Sequence, residues 1–192
     1  DVTADYATDP ILAAGTVYLR SSPNAIYVSD GTVAADVAYT GLSVAAGATL
    51  TLGNNDGCDS QINFTHDVDN SGTITKVIAN EACSIGISAL QYIASGSIVN
   101  AGNEEFENGG YVSINTSQGV INSGPINVSG FDEADEDGGY GGEVALYAQG
   151  YVLNSGMIDS SGGDAGDGDG GNGGDVNMYA AYTENTAEIN LN

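Results

Sequence analysis

Val112-Ser-Ile-Asn, Val144-Ala-Leu-Tyr and Val176-Asn-Met-Tyr stand 32 residues apart in a chain of 192, and the repeat they mark decides the fold. The register holds between copies. Val120-Ile-Asn-Ser-Gly falls on Val152-Leu-Asn-Ser-Gly, Ile126-Asn on Ile158-Asp, and Gly138-Gly-Tyr-Gly-Gly-Glu on Gly170-Gly-Asn-Gly-Gly-Asp. A fixed period of this length marks stacked supersecondary units. Within a copy, short apolar alternations (Val112-x-Ile114, Val120-Ile121, Ile126-x-Val128) are separated by Gly, Ser, Asn and Gln. No segment carries apolar residues at helical spacing over the length a helix needs. The pattern predicts an all-β chain wound as a parallel β-solenoid, with three short strands per coil. Coils would hydrogen-bond about 4.8 Å apart, with apolar residues at equivalent positions stacked into internal ladders.

Working outward, the third-strand positions align as Leu50, Ile74, Ile98, Ile126, Ile158 and Ile189, with spacings that grow from 24 to 32 residues. Six to seven coils are expected over residues 25–192, read as one domain. Strands barely change between coils, so the added residues belong to one connection: Gly102 to Gly110, Gly130 to Gly142, then Gly162 to Gly174. Such connections stack on one edge as a widening glycine- and aspartate-rich fringe. Thr49/Thr73 and Thr51/Thr75 are expected to pair on the outer surface, and Asn122/Asn154 and Asn127/Asp159/Asn190 to form polar ladders at corners. Residues 1–24 fall outside the repeat. They are read either as a cap on the first coil or as a donor strand for another subunit, with Ile11, Val17 and Leu19 as its contacts.

The charge excludes whole classes of partner. Twenty-six acidic residues face only Arg20 and Lys76, for a net charge of -24. Nucleic acid and anionic membrane surfaces need cations on the protein and are not expected partners. No apolar run reaches the ~20 residues that cross a bilayer. Few lysines, abundant Thr, Ser, Asn, Gly and Tyr, and two cysteines point to an extracellular or cell-surface location.

The phrase Gly41-Leu-Ser-Val-Ala-Ala-Gly-Ala-Thr-Leu-Thr-Leu-Gly, with Asn70-Ser-Gly-Thr-Ile and Gly96-Ser-Ile-Val-Asn-Ala-Gly after it, resembles the coils of secreted bacterial β-helix proteins. Surface adhesins and autotransporter-like passenger regions are built this way. The resemblance covers roughly residues 41–192 and implies right-handed winding and a cell-surface setting. It speaks to architecture and not to activity.

The acidic fringe is the first candidate site. Asp132, Glu133, Asp135, Glu136 and Asp137 lie one repeat before Asp164, Asp167 and Asp169, with Glu143 and Asp175 at the following strand entries. Carboxylates spaced among glycines suit a hard, oxygen-seeking cation, so Ca2+ is the expected cofactor. Gly170-Gly-Asn-Gly-Gly-Asp matches the opening of a calcium-binding nonapeptide, but Asn177 occupies its large apolar place. The competing reading is a solvated, flexible charge run.

Cys58 and Cys83 are 25 residues apart, near the local coil step, and are expected to form a disulfide; two buried thiols are the alternative. Stacking Ile62 on Ile85, as Phe64 on Ile87 suggests, sets them about two residues out of register.

Catalysis finds little support, and the chain is read as a non-enzyme. Polysaccharide-acting lyases need basic residues, and the two here leave little to work with. A glycosidase needs fixed carboxylates along a groove. His66 is the only histidine. Sequons at Asn63, Asn115 and Asn127 are of the number chance gives in so Asn- and Ser-rich a chain. An ice-binding face would need the Thr49/Thr73 array to continue, but Ser97 and Pro125 follow.

Three classes therefore remain. The first is an extracellular structural protein, a self-assembling fibre subunit or adhesin shaft. It would form a homopolymer by end-to-end stacking, with Ile189 and Leu191 at the open last strand. The second is a calcium- or carbohydrate-binding surface module, with Tyr111, Tyr140, Tyr147, Tyr151 and Tyr179 as candidate sugar-stacking faces, although Tyr147 and Tyr179 are expected rather to stack on each other as a structural ladder. The ice-binding solenoid is the third.

Overall fold

A computed structural model describes residues 11–12, 16–21, 24–28, 31–32, 41–52, 59–76, 84–104, 107–134, 137–166 and 168–192. The described residues contain strands and turns and no helix. They wind as a parallel β-solenoid, each coil passing three sides in turn.

The first side stacks Asp59–Asn63, the start of Ser84–Ala94, the start of Tyr111–Asn122, Glu143–Ala148 and Asp175–Tyr179. The second stacks Leu42–Val44, Val68–Asn70, the ends of the two long strands, Tyr151–Asn154 and Tyr182–Asn185. Short strands Thr49–Leu52, Thr73–Lys76, Ser97–Val99, Ile126–Asn127, Ile158–Asp159 and Ile189–Asn190 make the third. In the two long strands the first and second sides run on without a break. Between Ala89 and Gln91 the register shifts, so that Leu90 faces both Ser117 and Gln118 of the next rung.

Two expectations are corrected here. The stack makes about four turns, fewer than the six to seven coils expected. Ladder residues count strands on one side, and a turn lies between two of them, so their number exceeds the number of turns. Ile62 pairs with Ile87, not Ile85, because Asp59–Asn63 and Ser84–Ser88 run in register at a 25-residue step.

The spacing of apolar residues explains the core. Leu50, Ile74, Ile98, Ile126 and Ile158 form one internal ladder, all at most 1 % exposed. Val112 and Val144 continue Ile85 on the first side, and Ile114 and Leu146 continue Ile87. Fully burying one such side chain is worth about 1.5–3 kcal/mol, and stacking like on like repeats the gain on each rung. Tyr92 joins this core on the second side between Val68 and Val120.

Polar ladders hold the corners. Asn122 Nδ2 donates to Asn154 Oδ1 at 2.7 Å, and Asn154 Nδ2 to Asn185 Oδ1 at 2.7 Å. Each of the three also donates to a carbonyl two residues on, at Gly124, Gly156 and Ala187. The rung before carries Ala94 in this position, and Asn122 Oδ1 is buried without a partner. The Thr49/Thr73 and Thr51/Thr75 pairs and the Asn127/Asp159/Asn190 series stand in the expected register. Gly47, with φ of 80°, turns the chain from Val44 toward Thr49, a backbone shape a side chain resists.

Residues near the start of the chain add to this stack. Ile11 and Leu12 pair with Ser43 and Val44, and Thr16 to Leu19 pair in parallel with Thr49 to Leu52. Asn24–Val28 and Gly31–Thr32 then extend the third side as antiparallel strands.

Candidate functional site

The fringe is a hydrogen-bonded array. Gly130 to Glu133 runs outward from the third side and Gly138 to Gly142 runs back. Phe131 N–H donates to Glu107 O, Gly139 N–H to Phe131 O, Gly163 N–H to Gly139 O, and Gly171 N–H to Gly163 O. Outgoing and returning segments of successive coils thus alternate in one chain of bonds. Glycine makes this approach possible. A Cβ on Gly139, Gly163 or Gly171 would sit inside van der Waals contact of the carbonyl oxygen of Glu107, Phe131 or Gly139 respectively. The backbone of these segments is paired between coils, while Asp132, Asp137, Asp164 and Asp169 stand exposed to solvent.

The acidic residues sit on this frame. Asp132 Oδ1 accepts from Asp164 N–H at 2.8 Å, and Asp137 Oδ1 accepts from Asp169 N–H at 2.9 Å. Asn108 Oδ1 accepts from Tyr140 N–H in the same way, one repeat earlier. One coil's side chain therefore fixes the next coil's backbone, and carboxylates do work that an amide oxygen also does. Glu133 bridges to Ala165. Glu143 lies opposite Asp175 in the ladder and accepts from Asn177 Nδ2 at 3.2 Å. Asp135, Glu136 and Asp167 lie outside the described residues. Among the described residues, no group of three or more His, Cys, Asp or Glu stands together as a metal site.

Cys58 and Cys83 also lie outside the described residues. The residues that follow them, Asp59 and Ser84, are direct register partners.

The last rung differs from those before it. Val144, Leu146 and Ile158 are fully buried, whereas their register partners Val176, Met178 and Ile189 are only half-buried. Tyr182–Asn185 is exposed throughout, and Thr183 stands where Val152 faces the core one rung earlier. Leu191 is exposed. At the other end, Ile11, Val17 and Leu19 pair with Ser43, Leu50 and Leu52 of the same chain.

Residue patterns missed one feature, an open groove of about 660 Å3 at the corner between the first and second sides. Its floor is Ala89, Thr116, Ala148 and Ala180, one from each of four rungs. Ser88, Asn115, Tyr147 and Tyr179, successive register partners, make one wall. The rings of Tyr147 and Tyr179 stack with centroids 5.2 Å apart and planes 5° from parallel. Partial desolvation, with Tyr111, Tyr179 and Glu143 nearby, raises the Tyr147 phenol above its ordinary pKa. On the adjoining face Tyr151 lies over Gly119, where any side chain would collide with its ring, and its hydroxyl meets Gln91 Nε2. Small residues recurring once per repeat between larger ones were the available signal for this groove.

No protein-family model, no curated protein and no solved structure matches the chain.

Proposed function

We propose that the chain is an extracellular structural element, a fibre subunit or adhesin shaft, that lengthens by adding rungs to the Asp175–Asn190 edge. The observation that carries this reading is the parallel stack itself, in which each rung offers the same ladder positions and backbone groups to the next. Val176, Met178 and Ile189 continue the core ladders yet keep part of their surface in water. Covering them is favourable at about 25 cal/mol per Å2 of apolar surface, and backbone groups on an unpaired edge attract another strand.

A second copy is the occupant to test. The outermost strands of the second side, Ile11–Leu12 and Tyr182–Asn185, belong to one parallel ladder and run in the same direction. Head-to-tail addition therefore keeps the strand sense of the stack, bringing Ile11–Leu12 toward Tyr182–Asn185 and Gly31–Thr32 toward Ile189–Asn190. A net charge of -24 opposes this contact, so added salt should strengthen it. Calcium belongs to the same reading as a cation that relieves repulsion along the fringe, where Glu143 faces Asp175.

Sedimentation velocity over a wide concentration range, at low and at high salt, tests the proposal. Species that grow with concentration and salt, seen as filaments by electron microscopy, are the expected result. Ile189→Asp should abolish them. A monomer at every concentration and salt level removes the fibre reading.

A further inference from the structure

We infer that the corner groove binds a neutral oligosaccharide lying along the solenoid axis. This is independent of end-to-end assembly, since it concerns a lateral face.

Charge is the first reason. The chain carries 26 acidic residues, yet no residue lining this groove is charged. An acidic glycan or nucleic acid is repelled by the surrounding field, and a cation finds no carboxylate in the lining. An uncharged ligand suffers neither handicap.

Shape and repeat are the second. Four rungs contribute to the groove, and at about 4.8 Å per rung its length is roughly 14 Å. Every rung presents similar groups in the same order: a small floor residue and a polar or aromatic wall residue. A linear chain of pyranose rings is also a repeat of apolar C–H faces and hydroxyls, so each ring meets a similar set of groups.

The wall chemistry is the third. The Tyr147–Tyr179 stack lays aromatic carbon and phenol oxygens along two rungs, and Tyr179 is 58 % exposed. Asn115 and Ser88 continue that wall with an amide and a hydroxyl, and Gln149 adds another amide. Ring edges and phenol oxygens beside amides and hydroxyls give an uncharged, hydroxyl-rich ligand a row of partners along the axis. Asn115 opens a sequon, and a glycan attached there would obstruct the same groove.

Isothermal titration of the intact chain with cellohexaose, chitohexaose and mannohexaose, and with oligogalacturonate as the acidic counterpart, tests the inference. At least one neutral hexasaccharide should bind, and oligogalacturonate at least tenfold more weakly. Tyr179→Ala and Asn115→Ala should each weaken binding about tenfold. Met157→Ala, at an exposed residue outside the groove, should leave it unchanged. The inference is overturned if none of the three neutral sugars binds, if oligogalacturonate binds as tightly, or if both groove variants bind like the parent. Sedimentation of the same samples shows separately whether end-to-end assembly holds.

Discussion

Tyr92 shows how one residue ties the core to pH. It is fully buried on the second side, with Asn70 Nδ2 3.5 Å from its hydroxyl. Burial pushes the phenol well above its ordinary range, and the contact with Asn70 only partly opposes this. The folded chain therefore keeps Tyr92 protonated under conditions where the unfolded chain would release the proton. Its contribution is complete below about pH 10, the unfolded value, and is lost as pH rises toward the folded one. Urea midpoints should fall between about pH 9 and about pH 11, and Tyr92→Phe should flatten that fall. An equally steep fall in the variant would assign the alkaline loss elsewhere. The sequence showed Asn122 above Asn154 but not the gap behind them. Ala94 interrupts the Asn series, and the resulting unpartnered Asn122 Oδ1 depends on which strand lies next door.

At the scale of elements, the fringe separates what residue spacing carries from what it does not. Its position on one edge was legible from the lengthening period. Its backbone hydrogen bonding was not, because glycine carries no side-chain pattern and its partners lie in neighbouring coils. Gly139 and Gly170 make the contrast measurable. A Cβ at Gly139 meets the Glu107 carbonyl, whereas at Gly170 the nearest atom is 3.6 Å away. Gly139→Ala should cost ~1–3 kcal/mol through overpacking. Gly170→Ala should stay within roughly 0.5 kcal/mol of the parent. Chemical denaturation measures both, and equal, small effects would mean that the fringe yields as a loose loop. The same array carries the acids. Asp132 and Asp137 matter to it as acceptors for the next coil's amides, a role that charge runs do not announce.

The whole molecule sets ladder burial against charge. Apolar ladders run along its interior, while -24 of net charge acts to push it apart. Lys76, one of only two basic residues, is buried with its Nζ donating to Ser84 O at 3.2 Å. Stability should therefore rise with ionic strength as carboxylate repulsion is screened. For a chain of this size each kcal/mol gained moves the melting temperature by about 2–4 °C. Melting curves in sodium chloride and in calcium chloride of matched ionic strength check this. Equal shifts indicate screening alone, a larger shift in calcium indicates bridged carboxylates, and no shift in either removes repulsion as a limit on stability.

By itself the sequence determined the strand class, the winding repeat and the side on which the extra residues accumulate. All three follow from spacing along the chain, which dictates which apolar residues come round to the same place. Tertiary structure alone decided that Ile62 sits on Ile87, that the glycine segments interlock, that the last rung is half-covered, and that small residues align into an uncharged groove. These depend on backbone atoms of neighbouring coils meeting at hydrogen-bond distance, and residue spacing alone does not encode those meetings.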